Sequence, residues 1–487
     1  MQRSTEENRH SAMRTRTEED YLGIRKIPWK ALYGIQSVRA SENFQISGLQ
    51  LPPSFIKSYA CIKKAAALTN AELGLLDAKR ASAITRACDE IMQGNHSRQF
   101  IVDVFQAGAG TSQNMNLNEV IANRAIQILK GRKGDYRIVH PNDHVNMSQS
   151  SNDTFPTAMR IAILLTQPFL IEQIDLLVHS LRRKGKTFKK IFKSGRTHLQ
   201  DAVPVTLGME FDAYAAALAS AEEKIHDASL YLSRLPIGGT AVGTGINTHP
   251  KYRQAVVKNL SSIAGLRLSS GKNLMELMQS TSDFSFYSSA LKNLALELIR
   301  ISNDMRLLSS GPRTGLSEIQ IPSVQPGSSI MPGKVNPVIC EALAMISFQV
   351  IANDIAVSIA AQAGQLELNV MTPVIIHNIL GSIEILKNGM AMFRKRCIDD
   401  IRANEKRCRG YFESSLGNAA VLNPKIGYAQ ASEIVQESMR TGEGIFKTLC
   451  KKKCMTEEEM RTLFSPQRLT GPNLLGRRVT TRRRRKK

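Results

Sequence analysis

Gly327-Ser328-Ser329-Ile330-Met331-Pro332-Gly333-Lys334-Val335-Asn336-Pro337 packs two hydroxyls, an ammonium and an amide between two glycines and a helix start. Glycines at both ends predict a mobile loop, of the kind that closes as a lid, rather than a regular element. Asn336 and Pro337 read as an N-cap and first helical position. The run that follows, Val338 to Ala363, carries only Glu341 and Asp354 as charges. It predicts a helix buried nearly all round. The loop then stands at the positive end of a packed helix with Lys334 beside it, a place suited to a carboxylate or an ionised serine. Alone, a serine-glycine loop is more often an ordinary surface loop, so the rest of the chain has to be weighed with it.

Outward from this stretch the pattern is helical. From roughly Asn152 to Met392, long apolar repeats are separated by glycine-rich corners with almost no period-2 alternation. They predict helices over Thr157–Phe192 (interrupted at Pro168), Thr206–Leu235, Ser280–Leu308, Pro337–Ala363 and Pro373–Cys397. On the fourth, Ile339, Leu343, Ile346, Val350 and Val357 share one face. Ser309-Ser310-Gly311-Pro312 is a stop signal, and Leu235–Asn247 is too glycine-rich for helix. Pro53–Gln93 and Asn114–Leu129 are also helical by pattern, and short helices follow over Tyr428–Thr441, Ile445–Lys452 and Thr456–Leu463. The expected fold is all-α with a long central bundle. The expected organisation is a disordered leader over 1–20, a mainly helical domain over 21–150, the bundle with the loop over 151–404, a small helical domain over 405–472 and a basic disordered tail over 473–487.

Composition narrows the class. The chain has 487 residues, 42% of them hydrophobic, enough for several domains with a large core. No uninterrupted apolar run approaches the ~20 residues needed to span a membrane, and the first twenty residues do not resemble a signal peptide. Seven cysteines without Cys-x-x-Cys spacing argue for reduced thiols and a cytoplasmic location. With no His-Glu-x-x-His, a catalytic metal has no candidate cage, and none is expected. The formal charge of +23 is concentrated in the Arg477–Lys487 tail, which invites nonspecific polyanion binding, and in Arg182–Lys193, read as an exposed helix end.

Four other stretches are dense in hydroxyls, amides and histidines: Thr111-Ser112-Gln113-Asn114, His140-Pro141-Asn142-Asp143-His144, Ser148 to Thr154, and Gly195 to Asp201. Singly, each is explained as a polar turn or cap. Together they suggest a site that grips a dianion with neutral donors.

These blocks and the Gly-Ser-Ser, Met-Pro, Lys, Asn-Pro frame resemble the fumarase/aspartase superfamily, over about Tyr21 to Pro472. The resemblance implies a three-domain helical fold, a homotetramer whose sites take blocks from several chains, and no cofactor. It implies Ser328 as the base that removes a proton next to a carboxylate. Lys334 and His198 complete its implied catalytic set. Ser329, Lys334, Asn336, Thr197 and Ser151 are then carboxylate ligands, with Thr111, Ser150 and Asn152 around the leaving group and Glu341 as acidic partner of His198. The chemistry fits, because the dianionic intermediate of such an elimination needs converging donors more than a strong base. The substrate implied is a 2-substituted succinate. Gly108-Ala109-Gly110, Leu199 and Gly364–Met371 side with the aspartase branch, and so with L-aspartate giving fumarate. Fumarate hydration chemistry is the alternative, and a non-catalytic basic scaffold on the same fold a third.

Overall fold

A computed structural model describes residues 14–465 and 469–470. The predicted tail and most of the predicted leader lie outside the described residues. The chain divides into two compact units, one of Met1–Ile171, Glu222–Ala295 and Phe348–Leu386, the other of Glu172–Ala221, Leu296–Ser347 and Lys387–Lys487. This division is drawn across the expected boundaries at 150 and 404.

The first unit opens on an antiparallel hairpin, β1 (Thr15–Asp20) and β2 (Gly23–Pro28), in register from Thr15 opposite Pro28. Residues 15–20 are therefore ordered strand and not leader. The alternation that forms this strand is charged, because Arg16 and Glu18 are the residues that point inward, paired at 2.7 Å. Helices α1 (Ile35–Asn43), α2 (Pro53–Glu72), α3 (Ala78–Met92) and α4 (Thr111–Ile128) follow. Asp77 caps α3 by accepting from the Arg80 N–H, which breaks the long apolar pattern of 53–93 into two helices. α2 packs on α3 and on α7 (Tyr252–Ala264), and α3 packs on α4.

The long helices are α5 (Ser151–Thr187), α6 (Leu207–Leu230), α9 (Ser282–Leu308), α10 (Val338–Gln362) and α11 (Thr372–Arg396), with the short α8 (Leu274–Gln279) between α7 and α9. Their apolar period sets these helices, and four of the five predicted starts fall within two residues, as do the ends of α9, α10 and α11, while α6 stops five residues short of Leu235. α5 is the exception. It starts six residues early, runs through Pro168 and stops at Thr187, after which β3 (Phe192–Thr197) pairs with β4 (Gln200–Thr206). The basic run at 182–193 thus straddles the end of the helix: Arg182, Arg183, Lys186, Lys189 and Lys190 are exposed as expected, while Lys193, on β3, is buried.

α10 is covered by its own chain on one side only. Leu343, Val350 and Val357 are buried, but Met345, Phe348, Ile355 and Ile359 on its other side are each more than half exposed in the single chain. α5 and α10 are also long and apolar enough, by length and composition, to cross a membrane. Bundle helices meet the same criteria, and each buries polar partners. Arg160 on α5 pairs with Asp283 at 2.9 Å, and Asp354 on α10 accepts from Ser288 and Lys292 at 2.8 and 2.6 Å.

The second unit adds α12 (Glu405–Ser414), which packs on β3, and a helical end of α13 (Asn423–Ile426), α14 (Tyr428–Thr441), α15 (Ile445–Lys451) and α16 (Glu457–Leu463). Leu422, Ile434, Ile445 and Leu449 form its core. Among the described residues the strands come only as two-stranded pairs, so the fold is all-α in substance.

Candidate active site

The expected residues fall on both units. Thr111, Ser150, Ser151 and Asn152 lie on the first, and Thr197, His198, Ser328, Ser329, Lys334, Asn336 and Glu341 on the second.

On the first unit the candidates stand at the starts of α4 and α5. Thr111 is the exposed first residue of α4, preceded by Gly110 at φ 70°. A Cβ on Gly110 would come within 1.9 Å of the Phe155 ring, so glycine alone lets α4 begin this close to α5. Ser150 accepts from the Asn152 N–H at 3.2 Å, and the Asn152 amide donates to Ala241 O at 2.8 Å, on the glycine-rich corner. Ser151 Oγ accepts from Asn114 Nδ2 at 3.0 Å.

Three groups beneath them were not foreseen. Asp153, wholly buried, accepts N–H bonds from Ser150, Gly238 and Thr240 at 2.9–3.0 Å. Burial pushes its carboxyl up to about 7 against those donors and Lys63. Lys63, also wholly buried, donates to Asn146 Oδ1 and Gln149 Oε1, each at 2.9 Å. Burial lowers its ammonium to about 7, with Asp153 acting the other way. Asn146 Oδ1 also accepts from Asn114 and Asn118, both at 3.2 Å. A sequence signal for Lys63 did exist: it interrupts the apolar Cys61-Ile62 and Ala65-Ala66-Ala67 run of a helix buried nearly throughout.

On the second unit, Thr197 and His198 occupy the exposed tip of the β3–β4 hairpin, where His198 and Leu199 have φ of 54° and 58°. The base of that hairpin is fixed by charge. Lys193 meets Glu210 at 2.8 Å and Glu318 at 2.7 Å, and Arg196 meets Glu318 at 2.9 Å, with Glu318 wholly buried. Ser194 adds a hydroxyl bond to Ser415 at 2.9 Å. The tip is free while its root is held.

The loop from Gly327 to Asn336 closes on itself. Gly327 N–H donates to Lys334 O at 3.0 Å, Asn336 Nδ2 to Gly327 O at 2.5 Å and Lys334 N–H to Met331 O at 3.2 Å. A Cβ on Gly327 would meet Lys334 O at 2.3 Å, so this neck requires glycine. Asn336 therefore ties the neck instead of capping α10 with its side chain. Inside the loop, Ser328 Oγ accepts from the N–H groups of Met331 and Ile330 at 3.0 and 3.3 Å. Ser329 and Lys334 are exposed. Glu341, half-buried in the first turn of α10, makes no hydrogen bond to His198, so the expected acidic pair is not formed within one chain. Among the described residues no three His, Cys, Asp or Glu side chains converge as a metal cage.

A family model described as lyase matches residues 23–352, and one described as fumarase C C-terminus matches 419–471. Aspartate ammonia-lyases from a Bacillus species and from Bacillus subtilis are 46% and 45% identical to the chain, each over 95% of it and over 99% and 98% of their own lengths. The chain belongs to the fumarase/aspartase superfamily of lyases. Among solved structures, a protein of Brucella melitensis described as fumarate lyase:delta crystallin bound to cobalt superposes with a TM-score of 0.92 at 45% identity, covering 94% of this chain and 100% of that one. A class II fumarase from Schistosoma mansoni superposes at 0.90 with 35% identity and the same coverage.

For a superfamily member, the buried charges at the hairpin root identify what holds Thr197 and His198 in place. Removing Glu318 leaves Arg196 without its carboxylate and Lys193 with Glu210 alone. Glu318→Ala is expected to destabilise the fold by about 3–5 kcal/mol, the usual cost of stripping one partner from a buried pair. A urea midpoint equal to that of the unsubstituted protein would show that the hairpin is held otherwise.

Proposed function

We propose that the chain is an aspartate ammonia-lyase, which eliminates ammonia from L-aspartate to give fumarate. The observation that carries the reading is the loop serine: two backbone N–H groups already point at Ser328 Oγ. A serine hydroxyl is a very weak acid, and such donors are what an alkoxide needs if it is to act as a base. The loop leads into the positive end of α10, and Lys334 lies on the same loop.

In this reading the proton next to one substrate carboxylate passes to Ser328 Oγ. Its electron pair moves into that carboxylate as a dianion. The pair then forms the carbon–carbon double bond while the bond to the amine on the neighbouring carbon breaks and ammonia leaves. Lys334, Asn336, Ser329, Thr197 and Ser151 serve as carboxylate donors, and His198 belongs to the same catalytic set. Thr111, Ser150 and Asn152 offer oxygens that accept from the ammonium without adding a negative charge beside the carboxylates. Ala109, buried ahead of Thr111, brings no hydroxyl to that side. No cofactor takes part. Glu341 meets His198 across chains.

The same reading makes the protein a cytoplasmic homotetramer whose sites are shared between chains. The exposed Met345, Phe348, Ile355 and Ile359 of α10 support it, as an apolar helix face of this length calls for a neighbour. The basic tail takes no part in catalysis, and any polyanion it holds is released by salt.

Fumarate absorbance tests the substrate. L-aspartate is expected to give fumarate with kcat/KM at least ~100-fold above that for L-malate, about 2.7 kcal/mol of discrimination. Fumarate from malate and none from aspartate would reassign the chain as a fumarate hydratase. Ser328→Ala is expected to leave less than about a tenth of wild-type kcat, a barrier increase above ~1.4 kcal/mol, without loss of folding. Retention of more than that would place the base elsewhere. Sedimentation at micromolar concentration is expected to give a tetramer, and an active monomer would remove the shared-site arrangement.

A further inference from the structure

Lys63 has no exposed surface, and among the described residues its hydrogen bonds go to amide oxygens, with the Asp153 carboxylate acting on it only through space. Its acceptors are two amide oxygens, Asn146 Oδ1 and Gln149 Oε1, and its ammonium lies 5.4 Å from the Tyr59 ring centroid. A buried ammonium held by neutral acceptors is costly, so what it does to those acceptors matters.

An ammonium can only donate. The Asn146 atom that meets Lys63 is therefore the oxygen, and a second set of bonds agrees. Asn146 Nδ2 donates to Gln149 O at 3.2 Å, and Gln149 Nε2 donates to the carbonyls of Val145 and Met147, both at 3.0 Å. With Asn146 Oδ1 fixed as an acceptor, Asn114 and Asn118 must turn their amide nitrogens toward it. Asn114 Nδ2 also donates to Ser151 Oγ at 3.0 Å. The Ser151 oxygen is thus an acceptor on its protein side, and its own proton is left to point outward from a half-buried position.

The other ends of these amides show where the orientation comes from. Among the described residues, Asn114 Oδ1 and Asn118 Oδ1 are both buried without a hydrogen-bond partner. Nothing on the oxygen side holds either amide as it is, so the constraint comes from the Asn146 side. Turned over, Asn114 would present an oxygen to Ser151, and the hydroxyl would turn inward to donate to it.

We propose that Lys63 is a positioning residue which, through Asn146 and Asn114, fixes the Ser151 hydroxyl as a hydrogen-bond donor to a substrate carboxylate. The inference rests on the reading of Ser151 as a substrate ligand given above. Lys63 does not touch substrate. It sets which of two proton arrangements Ser151 adopts.

The test is a double-mutant cycle on the full chain, with kcat and KM for L-aspartate measured in wild type, Lys63→Met, Ser151→Ala and the pair. Methionine keeps the stem and removes the donors. Lys63→Met is expected to raise KM at least tenfold in the wild-type background and less than twofold in the Ser151→Ala background, with the helical circular dichroism retained. Equal losses in both backgrounds, or no loss in the first, would overturn the proposal. If Lys63→Met does not fold, Asn114→Leu carries the same cycle, since it breaks the relay one link nearer Ser151 and leaves the ammonium both amide acceptors. Wild-type turnover of aspartate tests the proposed function separately. A turning-over enzyme indifferent to Ser151→Ala would overturn the Lys63 role alone.

Discussion

A carboxylate with no exposed surface and three backbone N–H groups around it holds the first unit's candidate residues in place. Asp153 takes the Ser150 N–H at the start of α5 and the N–H groups of Gly238 and Thr240 from a corner nearly ninety residues later in sequence. Those donors cannot be replaced by water where Asp153 lies, so the corner and the helix start are committed to one arrangement. Ser150, Ser151 and Asn152 inherit it, being the residues just before and after that start. The Asn152 bond to Ala241 then extends the same attachment by one more link.

The second unit uses a different solution. Its hairpin is anchored by ions instead of backbone donors, with Glu318 between Lys193 and Arg196, and the two exposed positive-φ residues at the tip are left unrestrained. Among the described residues, the loop at Ser328 is held through a neck of backbone bonds and one amide. The expected site residues therefore differ in how they are held: Ser151 in a buried amide relay, Thr197 on a held hairpin, Ser328 on a self-closed loop.

The long helices were legible because burial against neighbours writes a 3.6-residue period directly into apolar side chains. Where buried partners are charged the period disappears from view. β1 alternates correctly, but with Arg16 and Glu18 as its inward residues, so it reads as polar leader; β3 hides Lys193 and Ser194 in the same manner. For α10, composition shows that the surface is apolar all round but not which part of it its own chain covers. Of the site, the residue types and their stretches could be named from pattern and resemblance. The direction of each hydrogen bond, the self-closed neck at Asn336 and the support from Lys63 and Asp153 depend on which amide meets which oxygen in three dimensions. The separation of Glu341 from His198 within one chain likewise has no trace in sequence.

The uncovered face of α10 also carries a temperature dependence. Association through Met345, Phe348, Ile355 and Ile359 would draw on the release of water from apolar surface, a driving force that is entropic near room temperature and fades on cooling. Ionic contacts do not weaken in that way. An assembly closed mainly by such a stripe would be loosest in the cold and at high dilution, and a single chain shows the same stripe to any other apolar surface.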